Sequence, residues 1–140
     1  VLITILISGA AAAESWITKT SASSVSDTAD KLIAAVEGAG ASVFARVDHA
    51  GGAKSTDQEL DPMIMVMFGN PRLGTPIMQN APRSGIDLPI RVLIWEEDGQ
   101  TQIGYLDPAV LKERYSVEGA DKSFEMMAGA LQRLTDASAQ

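Results

Sequence analysis

Two apolar, β-prone runs, residues 90–95 and 101–106, are separated by Glu97-Asp98-Gly99. Asp-Gly accepts the positive φ angles of a tight turn, so the two runs are set as antiparallel neighbours in a hairpin. A doubly wound parallel sheet needs regular alternation of strands and helices, which this chain lacks. Residues 16–20 and 42–48 read as further strands. Residues 63–68 are apolar on both faces, the mark of a central strand covered on both sides. Residues 24–40 form the clearest helix, with Val25, Ala29, Leu32, Ile33 and Val36 on one stripe. Ser24 and Asp27 suit its start, and Gly38 and Gly40 its stop. Asp107-Pro108 opens a short helix, and a last helix from about residue 121 puts Phe124, Met127, Leu131 and Leu134 on one face. The order β-α-β-β-α-β-β-α predicts an α+β two-layer sandwich, a mainly antiparallel sheet with helices packed on one face.

A chain of 140 residues suits one domain with a sizeable core, and its 46% hydrophobic and 21% charged residues are ordinary globular values. Net charge is −7, which argues against nucleic acid or an anionic membrane surface as partner. The excess lies outside residues 46–91, where five basic and five acidic residues balance, so a small anion is not repelled there. Cysteine is absent, which excludes disulfides, thiolate catalysis, zinc–cysteine sites and iron–sulfur clusters.

Val1-Leu2-Ile3-Thr4-Ile5-Leu6-Ile7 is an apolar run followed by Ser8-Gly9 and four alanines. Ala11 and Ala13 fit the small-residue pair of a signal-peptidase site before Glu14. The run is too short for a bilayer of roughly 30 Å. The expectation is the remnant of an export signal in residues 1–13, with a mature domain over residues 14–140 in the periplasm or outside the cell. The competing reading is an edge strand.

Two stretches carry candidate chemistry. After the second strand come Asp48-His49-Ala50-Gly51-Gly52-Ala53-Lys54, with the chain's one histidine. An imidazole there could serve as base, ligand or donor, the glycines permit positive φ, and Lys54 adds a cation. A solvated turn is the plainer reading. The second stretch, residues 68–78, contains Gly69-Asn70-Pro71 and Thr75-Pro76. Thr75-Pro76 reads as a helix cap and first helical position, and such a start binds anions well. Asn70, Arg72 and Thr75 could then hold a carboxylate or phosphate beside His49 and Lys54, although Gly, Pro and Asn shape most turns. Met63, Met65 and Met67 share one strand face, a copper(I)-like pattern, but core packing explains them better. No phosphate loop, zinc spacing or Gly-x-Ser-x-Gly occurs, so no cofactor or metal is implied.

Val47-Asp48-His49-Ala50, Gly52-Ala53-Lys54, Glu59-Leu60, Phe68-Gly69-Asn70-Pro71-x-Leu73-Gly74-Thr75-Pro76-x-Met78-Gln79 and Asp87-Leu88-Pro89-Ile90-Arg91-Val92-Leu93-Ile94-Trp95-Glu96 resemble the successive motifs of the domain-of-unknown-function 302 family. Asp98-Gly99, Tyr105 and Asp107-Pro108 continue the likeness in order. It implies a small α+β domain, a β-α-β unit extended by further strands and a closing helix, with homodimers plausible and no established activity. The methionine run after Asp61-Pro62 and the doubled glycine at 51–52 depart from the family's pattern.

The expected function is a non-catalytic envelope module that binds a small, anionic ligand between the two stretches, through His49, Lys54, Asn70, Arg72 and Thr75. The alternatives are an enzyme using His49 as general acid or base with Lys54 as stabiliser, or a structural or protein-interaction domain.

Overall fold

A computed structural model describes residues 15–140. The segment read as an export signal lies outside those residues. The strands are β1 (Trp16–Ser21), β2 (Ser42–Asp48), β3 (Met63–Gly69), β4 (Ile90–Glu97) and β5 (Gln100–Leu106). The helices are α1 (Val25–Gly38), α2 (His49–Lys54), α3 (Pro71–Asn80), α4 (Pro108–Arg114) and α5 (Asp121–Ser138), with a short 3-10 turn over Pro82–Ile86. The strands form one five-stranded antiparallel sheet in the order β1-β5-β4-β3-β2. The α+β architecture matches the expectation. In the β1-α1-β2 unit the two strands lie at opposite edges of the sheet, so α1 crosses its breadth and β2 to β5 return as a meander. Asp98 and Gly99 turn the last hairpin with φ of 51° and 76°, as the Asp-Gly signal requires.

Both long helices bury their apolar stripes on the same sheet face. The Ser24 side chain accepts the Asp27 N–H at 3.1 Å to start α1, whose Ala29, Leu32 and Val36 are fully buried. With Phe124, Met127 and Leu131 of α5 they pack on Ile64, Val66 and Phe68 of β3, Val92 and Ile94 of β4, and Ile103 and Tyr105 of β5. Tyr105 is thus a core residue, and burial pushes its hydroxyl pKa up against a hydrogen bond with Thr135. Lys19 pins β1 to α5 by donating to Thr135 Oγ1 at 2.8 Å and the Gln132 carbonyl at 3.1 Å.

The other sheet face carries Met63, Met65 and Met67, with Met65 paired to Val47 and Leu93, and Met63 to Trp95. None of these belongs to the buried core or packs against it. The reading of residues 63–68 as a central, doubly covered strand is therefore corrected. β3 is next to the edge, and its methionine face is only half-buried. An apolar alternation on both faces marks either two covering layers or an uncovered apolar surface, and periodicity does not separate them.

Two helical starts differ from expectation. The stretch after β2 is a short helix, not a loop, because the Asp48 side chain accepts the Gly51 N–H at 2.8 Å and caps it. Gly51 and Gly52 are not among the glycines of positive φ. In the second stretch Asn70 and Pro71, rather than Thr75 and Pro76, are cap and first helical residue, with Asn70 Oδ1 accepting from Arg72 N at 3.0 Å. Pro76 lies inside α3. Both pairs satisfy the same cap-plus-proline rule, and the earlier one takes the start.

Candidate functional site

The antiparallel register decides where the two candidate stretches sit. Asp48 pairs with Ile64 at the start of β3, whereas Ser42 pairs with Gly69 at its end. α2 and α3 consequently leave opposite ends of the sheet, separated by a strand length of roughly 20 Å. The expectation of one pocket joining His49 and Lys54 to Asn70, Arg72 and Thr75 is corrected on this ground.

At the α2 end a wide, shallow hollow is lined by Lys54, Asp48, Arg46, Glu59, Asp61 and the Ser26 region of α1. Its carboxylates outnumber its cations, and Arg46 is already bound to Asp30 and Ser26. That surroundings suits an anion poorly. His49 is exposed and does not line the hollow. Residues five apart on a helix point about 140° apart, which separates His49 from Lys54. The imidazole and the ammonium do not converge. Among the described residues no cluster of three His, Asp or Glu side chains could hold a metal ion.

At the α3 end lies a cavity of ≈ 350 Å³ between α3, α5 and the sheet. Its walls are mainly Phe68, Leu73, Met78, Leu88, Leu131 and Leu134, and small residues such as Ala41, Gly69, Gly74 and Ala130 leave the space. A Cβ on Gly69 would stand 3.2 Å from Pro89 Cβ, so a side chain where the chain turns out of β3 would require Pro89 to give by a few tenths of an ångström. Phe44, at a bulge in edge strand β2, reaches the same cavity while 58% exposed. The polar lining is Asn70, Thr75 and Arg133. Asn70 and Thr75 are thus two of the five residues singled out from sequence. Arg72 is exposed on the first turn of α3 and does not line the cavity. Arg133 was not anticipated. The visible signal was a cation beside Leu131 and Leu134 in the apolar repeat of α5, at the point where Ala130 makes that stripe thin. Among the described residues Arg133 makes no ion pair and the Thr75 hydroxyl no hydrogen bond.

Beside the cavity, the loop into β4 is clamped through Asp87. Its carboxylate accepts from the Tyr115 hydroxyl, from Arg91 at 2.7 Å and from Arg114 at 2.8 Å. The Tyr115 bond first, then the two guanidinium groups, hold Asp87 below the usual carboxylate range despite its burial. The same bond raises the Tyr115 hydroxyl. Both cations are committed to this carboxylate, so the cluster reads as a clamp rather than a binding site.

Among the described residues no helix is long and apolar enough to cross a membrane. Curated relatives are named as fluoride-specific ion channels of Brucella. FluC 1 of Brucella suis is 41% identical over 102 residues, covering 72% of this chain and 40% of that protein. FluC 1 of Brucella abortus shows the same identity over 38% of its length. The chain thus spans about 40% of the curated relatives it matches. Among solved structures, the uncharacterized conserved protein DUF302 from Bacillus stearothermophilus superposes with a TM-score of 0.80 at 17% identity, over 88% of this chain and 97% of that one. The model of the family described as "Domain of unknown function DUF302" matches residues 17–134, and the chain belongs to that family.

Proposed function

We propose that the domain is a non-catalytic binding module that takes a small, largely apolar carboxylate into the cavity beside α3. One observation carries this reading: the mainly apolar lining of the cavity includes a guanidinium, Arg133, that makes no ion pair among the described residues, together with Asn70 and Thr75. Its volume is at the lower end of small-ligand pockets, about 300–1,000 Å³, and its few polar groups are of the kind that orient a ligand. A hydrocarbon body would displace water from the walls, while the carboxylate would meet Arg133. Binding of octanoate and of octanol, followed by calorimetry and amide chemical shifts, tests the reading. Octanoate is expected to bind more tightly, and Arg133→Gln to weaken it by about tenfold to a hundredfold while leaving octanol unchanged. Absence of binding by both probes to the wild type would refute it.

The Brucella relatives favour a second reading, in which the domain is an accessory module of a membrane anion channel. Deleting the matching segment from a Brucella channel should then alter fluoride efflux from loaded vesicles; unchanged efflux counts against it. An envelope location belongs to the same proposal, supported by the apolar and alanine-rich residues 1–13. Alkaline phosphatase fused after the chain should be active in cells if this holds, and inactive if it does not.

A further inference from the structure

Three of the chain's six methionines, Met63, Met65 and Met67, follow one another on the sheet face opposite α1 and α5. Alternate residues of a strand share a face at a spacing of about 7 Å, so the thioethers form one strip. In the register Met65 stands between Val47 and Leu93, Met63 opposite Trp95, and Met67 between Ala45 and Arg91. All three are half-buried, and none belongs to the core or packs against it. In a core methionine fills irregular gaps, but here no core contact asks for that, and valine or isoleucine would suit a strand better. What methionine has and they lack is a nucleophilic sulfur. The chain has no cysteine, so its thioethers are the sulfur that an oxidant meets. The other three methionines are placed differently: Met127 is buried in the core, Met78 lines the cavity, and Met126 is exposed on α5.

We propose that this strip is a reversible oxidation site, which a hydroperoxide converts from an apolar to a polar surface. The sulfur lone pair attacks one oxygen of the O–O bond, which breaks as the S–O bond forms. The sulfur loses two electrons and the peroxide gains them. The leaving oxygen takes up the proton of the transferred hydroxyl and departs as water or an alcohol. A sulfoxide is polar where the thioether was apolar, so three in a row change the character of the middle of the face. The strip lies outside the core, so the change leaves the fold intact, whereas a sulfoxide at Met127 would disrupt packing. Sulfoxides on a folded surface stay within reach of the reductases that act on each epimer, which makes the change reversible. The inference is independent of the cavity reading, since the cavity is on the helix side of the sheet.

Trp95, opposite Met63, and Trp16, edge-on to it with ring centroids 6.4 Å apart, are the chain's two tryptophans and report on the strip. The folded protein, treated with hydrogen peroxide, is followed by peptide mass mapping, tryptophan emission and far-UV circular dichroism. Met63, Met65 and Met67 should each gain one oxygen at least about tenfold faster than Met127, with a red-shifted emission and unchanged circular dichroism. Methionine sulfoxide reductases should remove the oxygen and restore the emission. In the triple variant Met63→Leu, Met65→Leu, Met67→Leu, Met126 should still oxidise while the emission stays constant. The proposal is overturned if Met126 alone reacts in the folded wild type, or if the three react only as the circular dichroism signal is lost. A triple variant with the same red shift overturns it too, as do sulfoxides that the reductases leave in place.

Discussion

Asp87 gathers a tyrosine hydroxyl and two guanidinium groups onto a side chain that is 14% exposed, and its protonation therefore bears on stability. Its pKa is lowered in the fold, so the folded state prefers the ionised form more than the unfolded chain does. The resulting stability is fully present above the unfolded carboxylate value, near 3.8, and is lost as pH falls through the lower folded value. Asp87→Asn should accordingly cost about 1–3 kcal/mol in urea unfolding at pH 7, and the gap from wild type should close as pH drops below about 4. A gap constant with pH would mean that packing, not charge, holds the loop. Tyr115→Phe removes the foremost cause of the shift, so acid unfolding should begin at a higher pH than in the wild type, and coincident acid limbs would contradict that cause. Asp87 was visible in the sequence only as part of a motif. Its partners come from β4, the last residue of α4 and the Tyr115 cap after it, and no local pattern announces that they meet at one carboxylate.

α2 shows what local patterns do and do not convey. Gly51-Gly52 suggested a loose turn, yet Asp48 caps the segment and both glycines stay out of the left-handed region. They differ in what a methyl group would meet. A Cβ on Gly51 would come within 2.5 Å of the Asp48 carboxylate and dislodge the cap, whereas Gly52 faces open space. Gly52→Ala should therefore raise helical stability by about 0.5–1 kcal/mol. In Gly51→Ala that gain should be cancelled by a lost cap of about 1 kcal/mol. Amide hydrogen exchange across α2 separates the two, and equal protection in both variants would remove the cap from the explanation. The longer elements were legible because period and caps agreed along them, as in α1, α5 and the Asp98-Gly99 hairpin. The start of α3 was misplaced because Asn70-Pro71 and Thr75-Pro76 send the same signal. The bond from Arg72 N to Asn70 Oδ1 shows which is used, and it is a contact that residue types alone do not assign.

At the scale of the molecule, the order β1-β5-β4-β3-β2 separates what the sequence had placed together and exposes what it had buried. Each strand of the sheet could be read locally, but their order could not, because it depends on α1 carrying the chain from one edge to the other. That order leaves two candidate surfaces on opposite sides of one layer, in contact through consecutive residues of β3: Phe68 lines the cavity and Met67 lies on the open face. Close-packed sheets transmit strain between such neighbours, so coupling is a fair alternative. Yet the variants that probe each surface, Ala130 on α5 and Leu93 on β4, share no partner in the core. Their effects should add to within about 0.5 kcal/mol. Ala130→Met should fill the cavity and abolish octanoate binding. Leu93→Lys, outside the cavity lining, should bind octanoate as the wild type does. The double variant, measured by urea unfolding and calorimetry, closes the cycle. A folded Leu93→Lys protein that no longer binds octanoate would place the two surfaces in one coupled unit, with the open face setting the shape of the cavity through β3.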